Sequence, residues 1–400
     1  MAKRIMLIVL AVIMTIVFAG CSMVTVNEER DGQRVVAKVN GEEILKNEVT
    51  GQIKLYLSNM GIMEDNADYV AYYDMYLEGV LESAVILELS KQVCEENGIE
   101  LITAEQQAQI EEDVETMVNL AETLAGNNVL EEDYASDEKY QAALEAKKQE
   151  FLDMYGCNDG TYKQMLENEA ITENVIAYLM KDYNPTEDDI KAYYDQQLAD
   201  QKSVIDEQLS SFTTFENEGL LLYMPEGVRY IKYVLVEFGE DAVAALAEAE
   251  SEEKDDVREE QLKTIKETAD EALAAAKEDI DAAIEKYCAE GEPMHGETAL
   301  EVGLRIFKGS TDYPTEVVEA AEELSAVGEM SDLIATDEGY YIIQMVGEEE
   351  AGEVAYEEIK DTVLEHMTSE KEENIFLTTS GEWMDEAEIK YYMDRLAYNG

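Results

Sequence analysis

Apolar residues recur at helical spacing through most of the first half of the chain. One stripe, with spacings of four, three, four and three residues, comprises Tyr73, Leu77, Val80, Ala84 and Leu87. A second stripe, which follows a capping-box sequence at 103–106, comprises Ile110, Val114, Met117, Ala121 and Leu124. Side chains three and four residues apart share one face of an α-helix. The pattern therefore predicts amphipathic helices over most of the chain from Asn47 to about residue 224.

Two other parts of the chain have the composition of strands. Residues 35–44 have the pattern of a short strand, an Asn-Gly turn and a second short strand, which predicts a hairpin. The segments 229–236 and 340–346 are rich in β-branched and aromatic residues, and a long acidic helical pattern over 241–289 separates them. We therefore predict an α+β chain that is mostly helical, with its strands concentrated between residues 226 and 348 and helix again over 355–400.

The amino terminus has the pattern of a signal peptide. Lys3 and Arg4 precede an uninterrupted apolar run over residues 5–19. A run of this length is short for a membrane-spanning helix and is typical of the apolar region of a secretory signal. We predict a signal peptide over 1–20 and a polar tether over 21–34.

The end of this apolar run, Phe18-Ala19-Gly20-Cys21, resembles the lipobox of bacterial lipoproteins, although that family usually has Leu where Phe18 stands. The resemblance implies cleavage before Cys21 and a diacylglyceryl group on its sulfur. The protein would then be anchored in the cell membrane on its extracytoplasmic face. The other interpretation is an ordinary secretory peptide that happens to be followed by a cysteine.

Charge and composition exclude several classes of partner. The chain has 92 acidic and 29 basic residues, a net charge of -63. Nucleic-acid binding requires a basic surface, and anionic lipid also repels such a chain, so membrane attachment would depend on the lipid at Cys21. Four cysteines without a CxxC pair, and two distant histidines, predict no metal centre, and we expect no cofactor.

Two groups of segments resemble known families. Residues 228–236 resemble the opening strand of parvulin-type peptidyl-prolyl isomerases, 281–294 their helix-and-loop segment, and 327–343 their closing Gly-Glu-Ile-Ser and Gly-Tyr-His-Ile-Ile segment. Residues 35–49 are similar to the start of the chaperone domain in SurA- and PrsA-like foldases. The order of these segments after a lipobox matches PrsA-like lipoproteins.

The resemblance implies a domain organisation and a function. A helical chaperone-type module would occupy residues 35–224 and be completed by C-terminal helices at 351–400, with a parvulin-like antiparallel-sheet domain at 225–350 between them. Such a protein would bind unfolded secreted polypeptides and isomerise X-Pro peptide bonds. A homodimer is an arrangement that the sequence leaves open.

The resemblance also assigns the candidate site. Tyr233 and Tyr341 stand where active parvulins have two histidines, and a loose alignment places Glu290 at a position that is often Cys or Asp. Three residues would receive the prolyl ring: Phe307, Tyr313 and Val317.

The chemistry leaves two interpretations of the tyrosines open. The barrier to rotation about a peptide bond is about 18–20 kcal/mol, and a catalyst must bind the twisted amide better than either planar form. A neutral tyrosine hydroxyl can donate and accept hydrogen bonds, so Tyr233 and Tyr341 could preserve a working site. They could equally be ordinary strand tyrosines in a disused site.

Two other classes of protein compete with an isomerase. A non-catalytic holdase or scaffold with a vestigial parvulin domain would carry the same segments. A solute-binding lipoprotein is less favoured, because no run of alternating strands and helices indicates a hinged α/β pair.

Overall fold

The structure is a computed structural model that describes residues 28–131, 134–249, 253–289 and 296–398. It divides into two compact units. The N/C unit runs to Tyr183 and resumes at Glu370, and the central unit is Asn184–Ser369. The predicted signal peptide and Cys21 lie outside the described residues. Within the described ranges, no helix combines the length and apolar character needed to cross a membrane.

The N/C unit is a set of helices with a small sheet. Its helices are α1 (Glu28–Gly32), α2 (Lys46–Asn59), α3 (Tyr69–Asn97), α4 (Ala104–Asn128), α5 (Asp137–Met154) and α6 (Thr161–Leu179). Its strands are β1 (Val35–Val39), β2 (Glu42–Leu45) and β9 (Ile389–Tyr391), in the order β2-β1-β9. The long helix α14 (Tyr356–Glu386) begins in the central unit and ends in this one.

Local signals in the sequence explain much of this unit. The predicted hairpin forms, with Asn40 and Gly41 at positive φ in a two-residue turn and Val39 paired with Glu42. The capping box also forms, since Thr103 Oγ1 accepts from the Gln106 amide and the Gln106 side chain accepts from the Thr103 amide. The two helical stripes are confirmed as parts of α3 and α4.

The carboxyl-terminal segment differs from the helix that the sequence predicted. Helix α14 ends at Glu386, and β9 then pairs antiparallel with β1, Val39 opposite Ile389. Leu396 is fully buried in the core of the unit, and its carbonyl accepts a hydrogen bond from the Tyr73 hydroxyl. The segment after α14 therefore contributes to the same core as β1.

The central unit contains a four-stranded antiparallel sheet, in the order β5-β4-β7-β6. The strands of this sheet are β4 (Arg229–Glu237), β5 (Leu304–Ile306), β6 (Ile334–Ala335) and β7 (Gly339–Glu348). Two further strands of the unit, β3 (Tyr223–Met224) and β8 (Gly352–Glu353), pair with each other in a separate sheet. Its helices are α7 (Glu187–Glu207), α8 (Phe212–Asn217), α9 (Glu240–Glu248), α10 (Lys254–Glu278), α11 (Ile280–Tyr287), α12 (Glu297–Val302) and α13 (Thr315–Glu323).

The core of the central unit lies between this sheet and its helices. Ala269, Ala272 and Ala276 form a buried stripe on α10, and side chains this small let the helix pack closely against β4 and β7. Val317 on α13 is also fully buried in this core. The predicted fold class, mostly helical with antiparallel sheets, is confirmed.

Candidate functional site on the four-stranded sheet

The pairing of β4 with β7 brings the two predicted tyrosines together. Leu235 lies opposite Tyr341, and Tyr233 lies two residues before Leu235 on the same face of the sheet. The two tyrosine rings are therefore diagonal neighbours, with centroids 5.2 Å apart and planes inclined at 48°.

A third aromatic ring completes what we call the tyrosine cluster: Tyr233, Tyr313 and Tyr341. Tyr313 lies in the loop before α13, and its ring meets that of Tyr233 edge to face at 6.4 Å. Burial raises the pKa of Tyr313 to about 12, with a further contribution from the carboxylate of Asp312. The Tyr313 hydroxyl is therefore neutral at pH 7.

The hydroxyl of Tyr341 has a defined partner. It donates to Glu338 Oε2 at 2.5 Å. Glu338 is held in the turn between β6 and β7, where the buried Thr336 hydroxyl accepts from the amides of Glu338 and Gly339. The Thr336 and Gly339 positions of the closing segment thus orient a carboxylate toward the cluster.

Gly339 is required by this turn. Its φ is +145°, and a Cβ atom there would lie 2.1 Å from the carbonyl oxygen of Val236 on β4. Only glycine lets the two strands approach this closely at the point where β7 begins.

Sequence reasoning missed one residue at this site, Cys288. Its sulfur accepts a hydrogen bond from the Leu235 amide at 3.4 Å and lies 3.9 Å from the Tyr233 carbonyl oxygen. It covers the edge of β4 beyond the pairing with β5, which ends at Ile231. A signal existed, because Cys288 lies in the 281–294 segment, two residues before Glu290. Glu290 itself is outside the described residues.

The structure does not bring all the predicted prolyl-contact residues to the cluster. Tyr313 is part of it, and Val317 lies in the same core with no exposed surface. Phe307 instead packs edge to face on Phe212 at 4.9 Å, in a separate apolar group with Ile205. Only Tyr313 of the three therefore combines contact with the tyrosine pair and partial exposure.

The tyrosine pair itself is almost completely covered. Tyr233 and Tyr341 are 3% and 5% exposed. A hollow of about 420 Å³ adjoins the cluster at Tyr313 and Glu338. Its charged lining comprises Arg258, Asp312, Glu316, Asp337 and Glu338.

This hollow is polar and acidic. Arg258 lies 3.5 Å from Glu316 and 3.4 Å from Asp337, and Lys254 lies 2.5 Å from Asp337. The hydrogen bond from Lys254 lowers the pKa of Asp337, although burial opposes it. Within the described ranges, no group of three or more His, Cys, Asp or Glu side chains is placed to hold a metal ion.

The chain has relatives that match it from end to end, although no protein-family model matches it. A protein named Foldase protein PrsA from Clostridium perfringens strain 13 is 22% identical over 383 residues, 94% of this chain and 92% of the relative. Another of that name, from Clostridium botulinum strain Langeland, is 20% identical over 99% of both chains. The chain resembles PrsA foldases over nearly its full length. The resemblance inferred from the strand segments is confirmed.

Solved PrsA structures also align with most of the chain. The foldase protein PrsA of Lactococcus lactis is 16% identical, with a TM-score of 0.29, and the alignment covers 91% of this chain and 97% of that one. PrsA of Streptococcus pneumoniae is 15% identical, with a TM-score of 0.30 and coverage of 88% and 93%.

Proposed function

We propose that this chain is an extracytoplasmic foldase that binds unfolded secreted polypeptides and isomerises X-Pro bonds. The observation that carries the proposal is the similarity to proteins named Foldase protein PrsA, which extends over both compact units rather than one. The chain would be held at the membrane by a lipid on Cys21, the first residue of the tether 21–34. The proposed helical module covers 35–224 and 351–400, and the proposed parvulin-like domain covers 225–350. The central compact unit is wider than that domain, since it covers Asn184–Ser369.

The tyrosine cluster is the proposed isomerase site. Isomerisation needs no bond cleavage, so groups that stabilise the twisted amide suffice. The neutral hydroxyl of Tyr313 can donate to or accept from the amide, and Tyr341 is oriented by Glu338. Cys288 contacts the strand that carries Tyr233 and would keep that strand in register.

A specific observation favours a second function, a non-catalytic holdase. The tyrosine pair is nearly inaccessible, and the hollow beside it is lined by five charged side chains and offers only Tyr313 and Pro314 as the apolar surface that a prolyl ring prefers. In this alternative, the central unit would serve as a scaffold and the helical parts would bind clients.

Two assays on one preparation separate these functions. The chain without its signal peptide is tested for acceleration of cis/trans exchange in a proline tetrapeptide and for suppression of aggregation of an unfolded secreted protein. Both activities would support the isomerising foldase, and suppression alone would leave the holdase. Absence of both would reject the proposed function.

A matched pair of variants connects the exchange rate to the cluster. Tyr341→Phe removes the hydroxyl bonded to Glu338, and Tyr230→Phe removes an equally short bond, 2.5 Å to Glu349, on the same sheet but outside the cluster. We expect the first to slow exchange and the second to leave it unchanged. If the two variants changed the exchange rate equally, the tyrosine cluster would have no specific role in isomerisation.

A further inference from the structure

The helix pair α2–α3 presents an aromatic and methionine-rich surface whose two half-buried tyrosines, Tyr72 and Tyr76, also pack against the core. We call it the Tyr–Met surface: Tyr56, Met60, Tyr72, Met75 and Tyr76. Tyr56 and Met60 are each 48% exposed and Met75 is 65% exposed. The rings of Tyr56 and Tyr76 meet edge to face at 4.8 Å, which joins the two helices into one surface.

Helical geometry explains why these side chains are grouped. Met60, the C-cap residue of α2, lies one turn after Tyr56, and Tyr72 is three and four residues before Met75 and Tyr76 on α3. The inward face of α3 is supplied by other residues, among them Tyr73 and Leu77, which are buried. The fold therefore does not require large apolar side chains at the most exposed positions.

The chemistry of the surface suits a partner without fixed shape. Methionine is flexible and polarisable and fills irregular gaps, while tyrosine presents a broad ring at low entropic cost.

Charge decides which partner fits. Residues 50–80 contain five acidic side chains, which we call the acidic rim: Glu64, Asp65, Asp68, Asp74 and Glu78. All five are exposed, and the one base of that segment, Lys54, is paired with Glu64 at 3.2 Å. A second copy of a chain with net charge -63 is repelled by this rim, and so is an anionic lipid surface. A cationic partner is attracted.

We propose that the Tyr–Met surface binds unfolded segments in which basic residues alternate with apolar or aromatic ones. The inference rests on the proposed foldase function and names the class of client segment. Binding would be weak, salt-dependent and adaptable, with apolar side chains on the rings and methionines and basic groups at the acidic rim.

The test uses the full chain without its signal peptide and two fluorescent, unstructured peptides. One alternates lysine with leucine and phenylalanine, and the other has glutamate in place of every lysine. Anisotropy should show that the cationic peptide binds at least about tenfold more tightly, with an advantage that falls as salt is added. The triple variant Tyr56→Ser/Met60→Ser/Met75→Ser should weaken that binding about tenfold.

A matched triple variant controls for loss of exposed apolar surface in general. Val70→Ser/Leu120→Ser/Leu377→Ser removes three other exposed apolar side chains of the N/C unit and should bind the cationic peptide like wild type. Circular dichroism melts of both variants establish that they are folded. Equal binding of both peptides by wild type, or equal binding of the cationic peptide by both triple variants, would overturn the proposal.

Two further measurements separate this inference from the proposed function and from self-association. The triple variant Tyr56→Ser/Met60→Ser/Met75→Ser is the Tyr–Met variant. If wild type suppresses client aggregation but the Tyr–Met variant binds the cationic peptide as tightly as wild type, the inference fails while the foldase proposal stands. Sedimentation tests the alternative occupant. A dimer that forms in wild type and is lost in the Tyr–Met variant would assign the surface to a second copy and overturn the proposal.

Discussion

Replacing Lys46 with methionine tests a partly buried ion pair near the start of the N/C unit, whose ammonium also contacts the last described segment of the chain. The Lys46 ammonium donates to Asp31 Oδ2 at 2.5 Å and lies 3.5 Å from the carbonyl oxygen of Ala397. The side chains of Lys46 and Asp31 are only 8% and 16% exposed. Methionine replaces the apolar stem of lysine with an unbranched apolar side chain that lacks the ammonium group, so the change removes mainly the charge and its hydrogen bonds.

The expected cost follows from what remains around Asp31. Removing one partner of a fully buried pair costs about 3–5 kcal/mol, because the other charge is left uncompensated. Asp31 keeps some contact with water and a second partner, Arg34 Nη1 at 3.0 Å. We therefore expect Lys46→Met to lower the free energy of unfolding by about 1–3 kcal/mol at pH 7. For a unit of this size that corresponds to a loss of about 3–10 °C in Tm.

The chain supplies its own probe and control for this measurement. Trp383, the single tryptophan, packs against the core of the N/C unit, so its fluorescence follows the unfolding of that unit. Lys54→Met, on the same helix, removes an identical charge from an ion pair with Glu64 whose side chains are 54% and 53% exposed. An exposed pair contributes little, and this control should barely move the transition.

The dependence on pH has a definite sign. The hydrogen bond from Lys46 is the largest cause of the lowered pKa of Asp31, whose ordinary value is 3.8, and Arg34 lowers it further. Stability from a carboxylate with a lowered pKa is complete above the unfolded value and is lost as the pH falls through the folded one. The penalty of Lys46→Met should therefore shrink below about pH 4. Equal Tm losses for the two methionine variants at pH 7, or a penalty that persists unchanged in acid, would refute the reasoning.

Three other changes test the sheet, the site and the anchor. Gly339→Ala should lower the free energy of unfolding by about 1–3 kcal/mol in urea titrations followed by circular dichroism, because of the left-handed φ and the backbone clash. Gly347→Ala, where the new Cβ meets only ordinary contacts, should change it far less. Tyr233→His with Tyr341→His should raise the rate of tetrapeptide exchange if the site admits substrate; an unchanged rate in a folded variant would contradict a usable pocket. Cys21→Ala should move the protein from the membrane fraction to the medium, and unchanged retention would discard the lipid anchor.

Local chemistry in the sequence was sufficient to predict several elements. The Asn-Gly pair supplies the positive φ that a two-residue hairpin needs, and the helix stripes and the capping box at Thr103 act over three or four residues. The strands at Arg229–Glu237 and Gly339–Glu348 were predicted as 229–236 and 340–346, because β-branched and aromatic residues concentrate there. Thr336 and Gly339, in the turn before the second of these strands, lie in the segment that resembles the parvulin closing segment.

Contacts between distant residues were decided only in the tertiary structure. Strand β9 has three residues and no local pattern, and it forms because its partner β1 is available at the other end of the chain. Phe307 packs on Phe212 in a separate apolar group, and Cys288 contacts the edge of β4 beside Tyr233. The sequence by itself determined the long amphipathic helices, the hairpin and the two long strands of the four-stranded sheet, and the family resemblance placed one tyrosine of the pair on each of those strands. The tertiary packing decided that this pair is buried beside an acidic hollow, since burial depends on every element that covers it.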